Sequence, residues 1–350
     1  MFEPDFRNIV AAANNKRPER LPLYEHIICP TIMENILDVK FADMEKGDSS
    51  DLNEFFAQYC RFWKEMTYDT VSYEVCVTEV LPGGGALLGE TKGVIQNRAD
   101  FDTYPWADLP RILWETACPR FDALANNMLP GMKAVGGIGN GVFEISEDLV
   151  GFQQLCYMQF DDPELFSDLF KKIGELLADL WKTLLDKYPD LFCVCRTGDD
   201  MGYKSQTLLA PGTIISHIVP QYSQIVRHIH DAGLPYLMHS CGCIFDVMDR
   251  FIDIGIDAKH SNEDVIAPYD RWIEDYGDRI GMFGGIDTDN VCRMKPDELY
   301  EFVIKEGTRF RKKAKGFAIG SGNSIPDYVP VDGYLAMIKA VQEIRRREEK

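Results

Sequence analysis

The feature that most constrains this chain is an alternation. Short apolar runs at 21–27, 69–75, 133–139, 191–197, 235–241, 256–261, 279–287 and 316–322 are followed by Gly, Asp or Asn and then by helical patterns. The stretch 162–188 opens on Asp-Pro and repeats apolar residues at spacings of three and four, as a packed helix does. The stretch 211–233 ends in a glycine stop signal, and Pro220 predicts a kink within it. The stretches 243–255 and 332–350 are amphipathic as well. About eight strands alternating with helices in a chain of 350 residues predict an α/β protein. The expected architecture is a single (β/α)8 barrel of the TIM type over residues 1–350, entered through an N-terminal helical extension. No repeat, low-complexity tract or Pro/Ser linker divides the chain.

Charge narrows the partners. The formal net charge of −19 would repel nucleic-acid phosphates and an anionic membrane surface, so neither is expected. An acidic small substrate is still compatible, because a few local arginines suffice to bind one. No run of eighteen apolar residues offers a membrane span. The opening "MFEPDFRNIVAAANNKRPERLP" carries early charges and no apolar core, unlike a signal peptide. Ten scattered cysteines are too sparse for a disulfide scaffold, so reduced thiols and a cytoplasmic location are expected.

In such a barrel, chemistry gathers just after the C-terminal ends of the strands. The polar residues there include Glu25 and His26, Tyr73 and Glu74, Asn140, Asp199 and Asp200, His239 and Cys241, His260 and Glu263, Asp287, Ser321 and Asn323. His239 and Cys241 alternate along one strand, so both face one way, and imidazole with thiolate suits zinc. The plainer alternative is a satisfied core pair. His260 and Glu263 end the neighbouring strand and are candidates for a shared metal. A strand-end histidine and a helix N-terminal carboxylate are their ordinary readings. Asp199 and Asp200 suit a cation, a general base or a ligand's orienter, although capping and turn duty is commoner for such residues. "VGGIGNG" (135–141) fits neither the dinucleotide fingerprint nor the P-loop. It suits close approach of a substrate or cofactor to the backbone.

Read in order, these features resemble the uroporphyrinogen decarboxylase superfamily, which includes the cobalamin-dependent methyltransferases. "AAANNKRPERLPLYEH" is similar to its entry into strand one, and "PQYSQIVRHIHDAGLPYLMHSCG" to its helix-then-strand segment ending in His-x-Cys-Gly. "MFGGIDT" and "GFAIGSGNSIPDYVPVDGYLAMIKAV" resemble its last two strands and closing helix. The likeness is loose over most of the chain and specific over 211–245.

The superfamily's decarboxylases carry arginines near strand one and an aspartate after strand two. Here those regions read "YEHIICP", without arginine, and "SYEVCVTEV", with Glu74, Cys76 and Glu79 but no aspartate. Decarboxylation of a porphyrinogen is therefore the second reading, and a non-catalytic corrinoid or small-molecule binding protein the third. The methyltransferase branch implies zinc held by His-x-Cys and a later cysteine. His239 and Cys241 match the first two, but the later loop, "GSGNSIP", offers Ser321, Asn323 and Ser324 instead. "HSCGCIFDVMDRF" also resembles the zinc stretch of cobalamin-independent methionine synthase, which adds a glutamate some twenty residues on. Glu263, twenty-two residues after Cys241, is accordingly the expected third ligand. His260, Cys243, Ser321, Asn323 or substrate would be the fourth.

The resemblance thus implies a zinc-dependent methyltransferase acting on a small methylated substrate or thiol. Its cobalamin would ride on a separate corrinoid protein, since no Asp-x-His-x-x-Gly motif is found here. Glu74 and Asp200 are the expected catalytic acids, and Asn140 and Tyr73 the expected cofactor contacts.

Overall fold

The computed structural model describes residues 2–89 and 92–348. Its centre is a seven-stranded, all-parallel sheet in sequential order: β1 Val71–Cys76, β2 Ala134–Gly139, β3 Phe192–Gly198, β4 Tyr236–His239, β5 Ala258–His260, β6 Gly281–Ile286 and β7 Phe317–Ser321. Strands β2 to β7 are buried along their whole length, as expected when helices cover one face and the sheet curls over the other.

Among the described residues the expected count of eight strands is corrected to seven. The first run, 21–27, forms only isolated parallel bridges, Leu23 with Ile319 and Ile28 with Ile325. Pro22 lacks an N–H and can only accept, from Ile319 N (2.9 Å). On its other side the segment meets β1 through a side chain, Ser72 Oγ donating to Glu25 O (2.6 Å). Among the described residues no backbone ladder joins it to β1, so an irregular segment fills the gap between the sheet's two edge strands.

Helices fill the connections between strands. Helix Pro163–Lys187 begins where Asp162 accepts from Leu165 N (2.9 Å), with proline at its first position, where no N–H is missed. It buries a continuous stripe that includes Leu169, Ile173, Leu177, Trp181 and Leu184. Each such side chain contributes about 1.5–3 kcal/mol. The stretch around Pro220 does deform: a π-helical turn, Ile214–Ile218, precedes helix Val219–Asp231. Proline's missing N–H accounts for the widened turn. The closing helix runs Val331–Glu348, and the last two residues of the expected 332–350 stretch lie outside the described residues.

The N-terminal extension closes one end of the sheet. Ile9, Ala12 and Ala13 of helix Arg7–Ala13 pack against Tyr24, Val135, Val194, Leu237, Phe283 and Ala318. A Cβ on Gly281 would sit 2.2 Å from Ala12 O, and one on Gly316 would sit 2.3 Å from it, so only glycine admits the plug. With the N-terminal end packed shut, access lies at the C-terminal ends of the strands.

Candidate metal centre

Strand alternation decides which side chains reach the interior. In β4, Leu237 and His239 point inward, and Cys241 continues that parity just beyond the strand. His239 is 4% exposed, and its Nε2 lies 3.4 Å from Cys241 Sγ. Beyond β3, Gly198 and Asp200 share the inward parity, and Asp200 Oδ1 lies 3.7 Å from His239 Nε2. Asp200 is positioned by Cys241 N, which donates to Oδ1 (2.8 Å). Three different donor types, N, S and O, therefore converge on one point.

A hydrogen-bond relay sets the tautomer of His239. His260 Nε2 lies 3.0 Å from Ser321 O, which can only accept, so that nitrogen carries the proton. His260 Nδ1 then accepts from His239 Nδ1 (2.7 Å), and the lone pair of His239 is left on Nε2, facing Cys241 and Asp200. Burial and the other nearby positive groups hold His239 well below the usual imidazole range, and burial takes His260 down to about 3. Both are neutral at physiological pH. A metal-ligating imidazole requires that arrangement: neutral, with its second nitrogen tied to a partner.

A second group, His26, His239 and His260, also has its nitrogens close together. It is the poorer cage. The His239 and His260 Nδ1 atoms already bond each other, and His26 stacks on His239 face to face (centroids 3.8 Å, 13°) instead of aiming a nitrogen at the same point.

The geometry redistributes the expected roles. Glu263 joins neither group; it lines a neighbouring cavity. The chain turns at Ser261 (φ 96°), and Asn262 N donates to Gly322 O (2.9 Å), which carries residue 263 away from Cys241. Ser261 Oγ and Asn323 Nδ2 each lie 3.4 Å from Cys241 Sγ, so Asn323 touches the thiol from the loop where a late cysteine was expected. Tyr73 points outward into Phe56, Tyr59 and Phe121, with its hydroxyl donating to Glu45 (3.1 Å), and is not at the mouth. Glu74 does point inward, but Arg196 holds it at 2.6 and 3.1 Å. Asn140, in the left-handed region (φ 64°), accepts from Thr78 Oγ1 (2.8 Å) and donates to Glu144 (2.9 Å). Asp199 points the other way from Asp200. It accepts from Tyr222 Oη (2.6 Å) and from the N–H groups of Phe143 and Glu144, capping helix Val142–Val150.

Two residues were missed. Glu144 accepts from Asp200 N (3.3 Å), and burial, reinforced by the charges of Asp200 and Asp199, raises its carboxyl to about 8. It keeps a proton at neutral pH beside the cluster. Arg196 is fully buried in β3 and also donates to His26 O (2.7 Å), Tyr24 Oη and Ser72 Oγ (3.2 Å each). The signal for Arg196 was its two-residue spacing from Val194 and Gly198 on an apolar strand; Glu144 gave no pattern of its own.

A curled parallel sheet, plugged at its N-terminal end and bearing polar groups at its C-terminal end, defines a barrel-like α/β protein with its site at the strand ends. Comparison then fixes the family. The uroporphyrinogen decarboxylase (URO-D) family model matches residues 122–344, and this chain belongs to that family. No curated protein matches it. Among solved structures it is similar to a methyltransferase from Methanosarcina mazei (14% identity, 97% of this chain and 99% of that one, TM-score 0.74). It is also similar to a B12-independent methionine synthase from Shewanella sp. W3-18-1 in complex with selenomethionine (11% identity, 97% of each chain, TM-score 0.52). At such identities the likeness is one of fold. No helix among the described residues is long and apolar enough to cross a membrane.

Proposed function

We propose that this chain is a zinc-dependent methyltransferase on a TIM-type barrel. It moves a methyl group between a small methylated substrate, or a thiol, and a corrinoid carried by a separate protein. The observation that carries the reading is the spacing of the donors. Tetrahedral zinc, with bonds of about 2.0–2.3 Å, sets its ligand atoms roughly 3.4–3.6 Å apart. His239 Nε2 lies 3.4 Å from Cys241 Sγ and 3.7 Å from Asp200 Oδ1. Asp200, His239 and Cys241 would hold the ion and leave a fourth position for substrate. Zinc bound there would act as a Lewis acid on an oxygen, nitrogen or sulfur atom of the substrate.

The remaining roles belong to the chain itself. His260 and Ser321 fix the lone pair of His239. Ser261 and Asn323 donate toward Cys241 Sγ and favour its anionic form, against the burial that raises the free thiol. Glu144, next to Asp200 and raised by burial, is the carboxyl placed to protonate an atom that loses its methyl group. Glu74, expected to serve in that way, is instead engaged by Arg196. The net charge of −19 and the absence of arginine in 21–30 argue against a porphyrinogen substrate with its many carboxylates. A cytoplasmic setting suits its ten free cysteines.

Metal analysis of protein purified under reducing conditions, without added chelator, tests this. About one zinc per chain is expected, and Cys241→Ala should lose most of it with the fold intact by circular dichroism. Zinc-free protein that also fails to take up added zinc would overturn the proposal.

A further inference from the structure

A methyl-transfer site that contains a thiolate has a second nucleophile in it. We infer that Ser261 and Asn323 act through Cys241 to keep its sulfur a ligand: their two hydrogen bonds lower its reactivity toward the methyl group that the site handles. This rests on the reading above and adds to it what keeps the methyl group off the protein.

Geometry is the first observation. Ser261 Oγ and Asn323 Nδ2 each donate to Cys241 Sγ at 3.4 Å, one from the turn after β5 and the other from the loop after β7. A hydrogen bond draws on a sulfur lone pair, and a thiolate's nucleophilicity falls with its basicity. His239 Nε2, also 3.4 Å away, carries no proton in the relay and adds no third donor.

Backbone conformation is the second observation, and it is independent of the first. Ser261 is 2% exposed and takes φ 96°, a region that glycine enters freely and other residues enter at a steric cost. Such a residue persists only where its surroundings hold it. Here Lys259 Nζ, seated over the Trp272 ring at 3.7 Å, donates to Ser261 O. On the other side Asn262 N donates to Gly322 O (2.9 Å), and Asn262 Oδ1 accepts from Gly285 N (2.9 Å). Glycine would make this turn without strain. What serine has in its place is a hydroxyl, and that hydroxyl bonds the thiol.

The two observations separate stability from chemistry. Ser261→Gly removes the strain and the hydroxyl together, whereas Ser261→Ala removes the hydroxyl alone. A residue that served packing only would move both properties in step.

The probe is iodomethane, offered at a single pH to the full chain loaded with equimolar zinc. The sulfur lone pair forms the S–CH3 bond, and iodide leaves with the electron pair of the broken C–I bond. Methylation of Cys241 is followed by peptide mass spectrometry, with Cys243 as the internal reference, and zinc is measured on each sample beforehand. Ser261→Gly and Ser261→Ala are each expected to methylate Cys241 about threefold faster than the wild type, and Ser261→Gly/Asn323→Ala about tenfold faster. Over the same set the urea midpoint should rise in Ser261→Gly and not in Ser261→Ala. Methylation unchanged in the zinc-loaded variants, or absent from all of them, would overturn the inference and leave the metal centre standing. So would rates that follow the urea midpoint, slower in Ser261→Gly and faster in Ser261→Ala, since loosened packing would then set them. Protein that takes up no zinc would overturn both.

Discussion

Glu74 and Arg196 form one polar cluster inside the sheet, and Asp200, His239 and Cys241 form another, nearer the strand ends. In the first, every nitrogen of the guanidinium has an acceptor: Glu74 Oε2 takes Nε and Nη2, while Tyr24, Ser72 and the His26 carbonyl take Nη1. Opposite charges cancel and little capacity is left over. In the second, an imidazole nitrogen, a thiol sulfur and a carboxylate oxygen converge, with His239 Nε2 3.4 Å from Cys241 Sγ and 3.7 Å from Asp200 Oδ1. Both clusters come from inward-facing positions on or just beyond parallel strands, and both contain a carboxylate, but Asp200 is partly exposed at the mouth. They differ in residual valence. A fully paired ion pair holds the sheet together, whereas three ligand atoms of different type converging on one point can hold a metal.

The largest effect should come from breaking the satisfied cluster. Arg196→Met strands the Glu74 carboxylate, and losing one member of a buried pair costs about 3–5 kcal/mol. Urea unfolding should register that loss, and Arg196→Met/Glu74→Leu should recover most of it, because an apolar replacement of the whole pair is close to neutral. Zinc content of the double variant should match that of the wild type. An Arg196→Met protein with an unshifted midpoint would mean that the ion pair is not structural, and the contrast between the clusters would fail.

The same contrast explains what could be read from the sequence. Seven of the eight expected strands stand within two or three residues of their predicted places, because apolar runs punctuated by Gly and Asp are a strong signal. The first run failed as a strand because Pro22 removes a ladder donor. His239 and Cys241 were legible as a pair because period two is a property of strands. That rule also shows why Tyr73 lies away from the mouth: it adjoins Glu74, so the two cannot share a face. Asp199 and Asp200 divide in the same way, one to a helix cap and one to the cluster. Glu263 stands apart from the cluster for another reason. Twenty-two residues of spacing carry no spatial information once Ser261 takes a positive φ and turns the chain.

An intermediate effect is expected at His260, which bonds the far nitrogen of His239 and is not itself one of the three donors. His260→Phe removes the acceptor that keeps the His239 proton on Nδ1, so part of the population carries it on Nε2, where a metal must bind. Partners of this type typically account for 10–100-fold in metal affinity. Competition with a chromophoric chelator should show a loss in that range. His260→Gln, whose amide oxygen can accept from Nδ1, should retain more affinity than His260→Phe. Equal affinity in the two variants would mean that the relay contributes packing alone.

The smallest effect, read per pH unit, concerns a carboxyl outside both clusters. Glu25 is fully buried between the sheet and the helices, where Ser321 N donates to its Oε1 (2.9 Å) and Ser321 Oγ contacts its Oε2. Burial raises it from 4.5 to about 8, against the opposing pull of those two bonds. The sign follows from linkage. Between pH 4.5 and 8 the folded chain keeps a proton that the unfolded chain has released, so Glu25 contributes stability that is complete below about 4.5 and is lost as pH rises through 8. Glu144 and Glu147, also raised to about 8 by burial, act in the same direction. Depressed carboxyls such as Glu343, held at about 2 by Arg346 and Arg347, add nothing to the slope in this window, since they are ionised in both states above pH 5. Buried His26, His239 and His260, and Lys259, all held down by burial, oppose this slope, so the net decline of metal-free protein from pH 5.5 to 8 is smaller than the carboxyls alone would give, with Glu25 contributing at most about 1.4 kcal/mol per pH unit. Glu25→Gln keeps an acceptor for Ser321 N and has no proton to lose, so urea midpoints measured across that range should show a shallower decline. An identical slope in the variant would mean that Glu25 is ionised in the folded chain, its burial offset by Ser321.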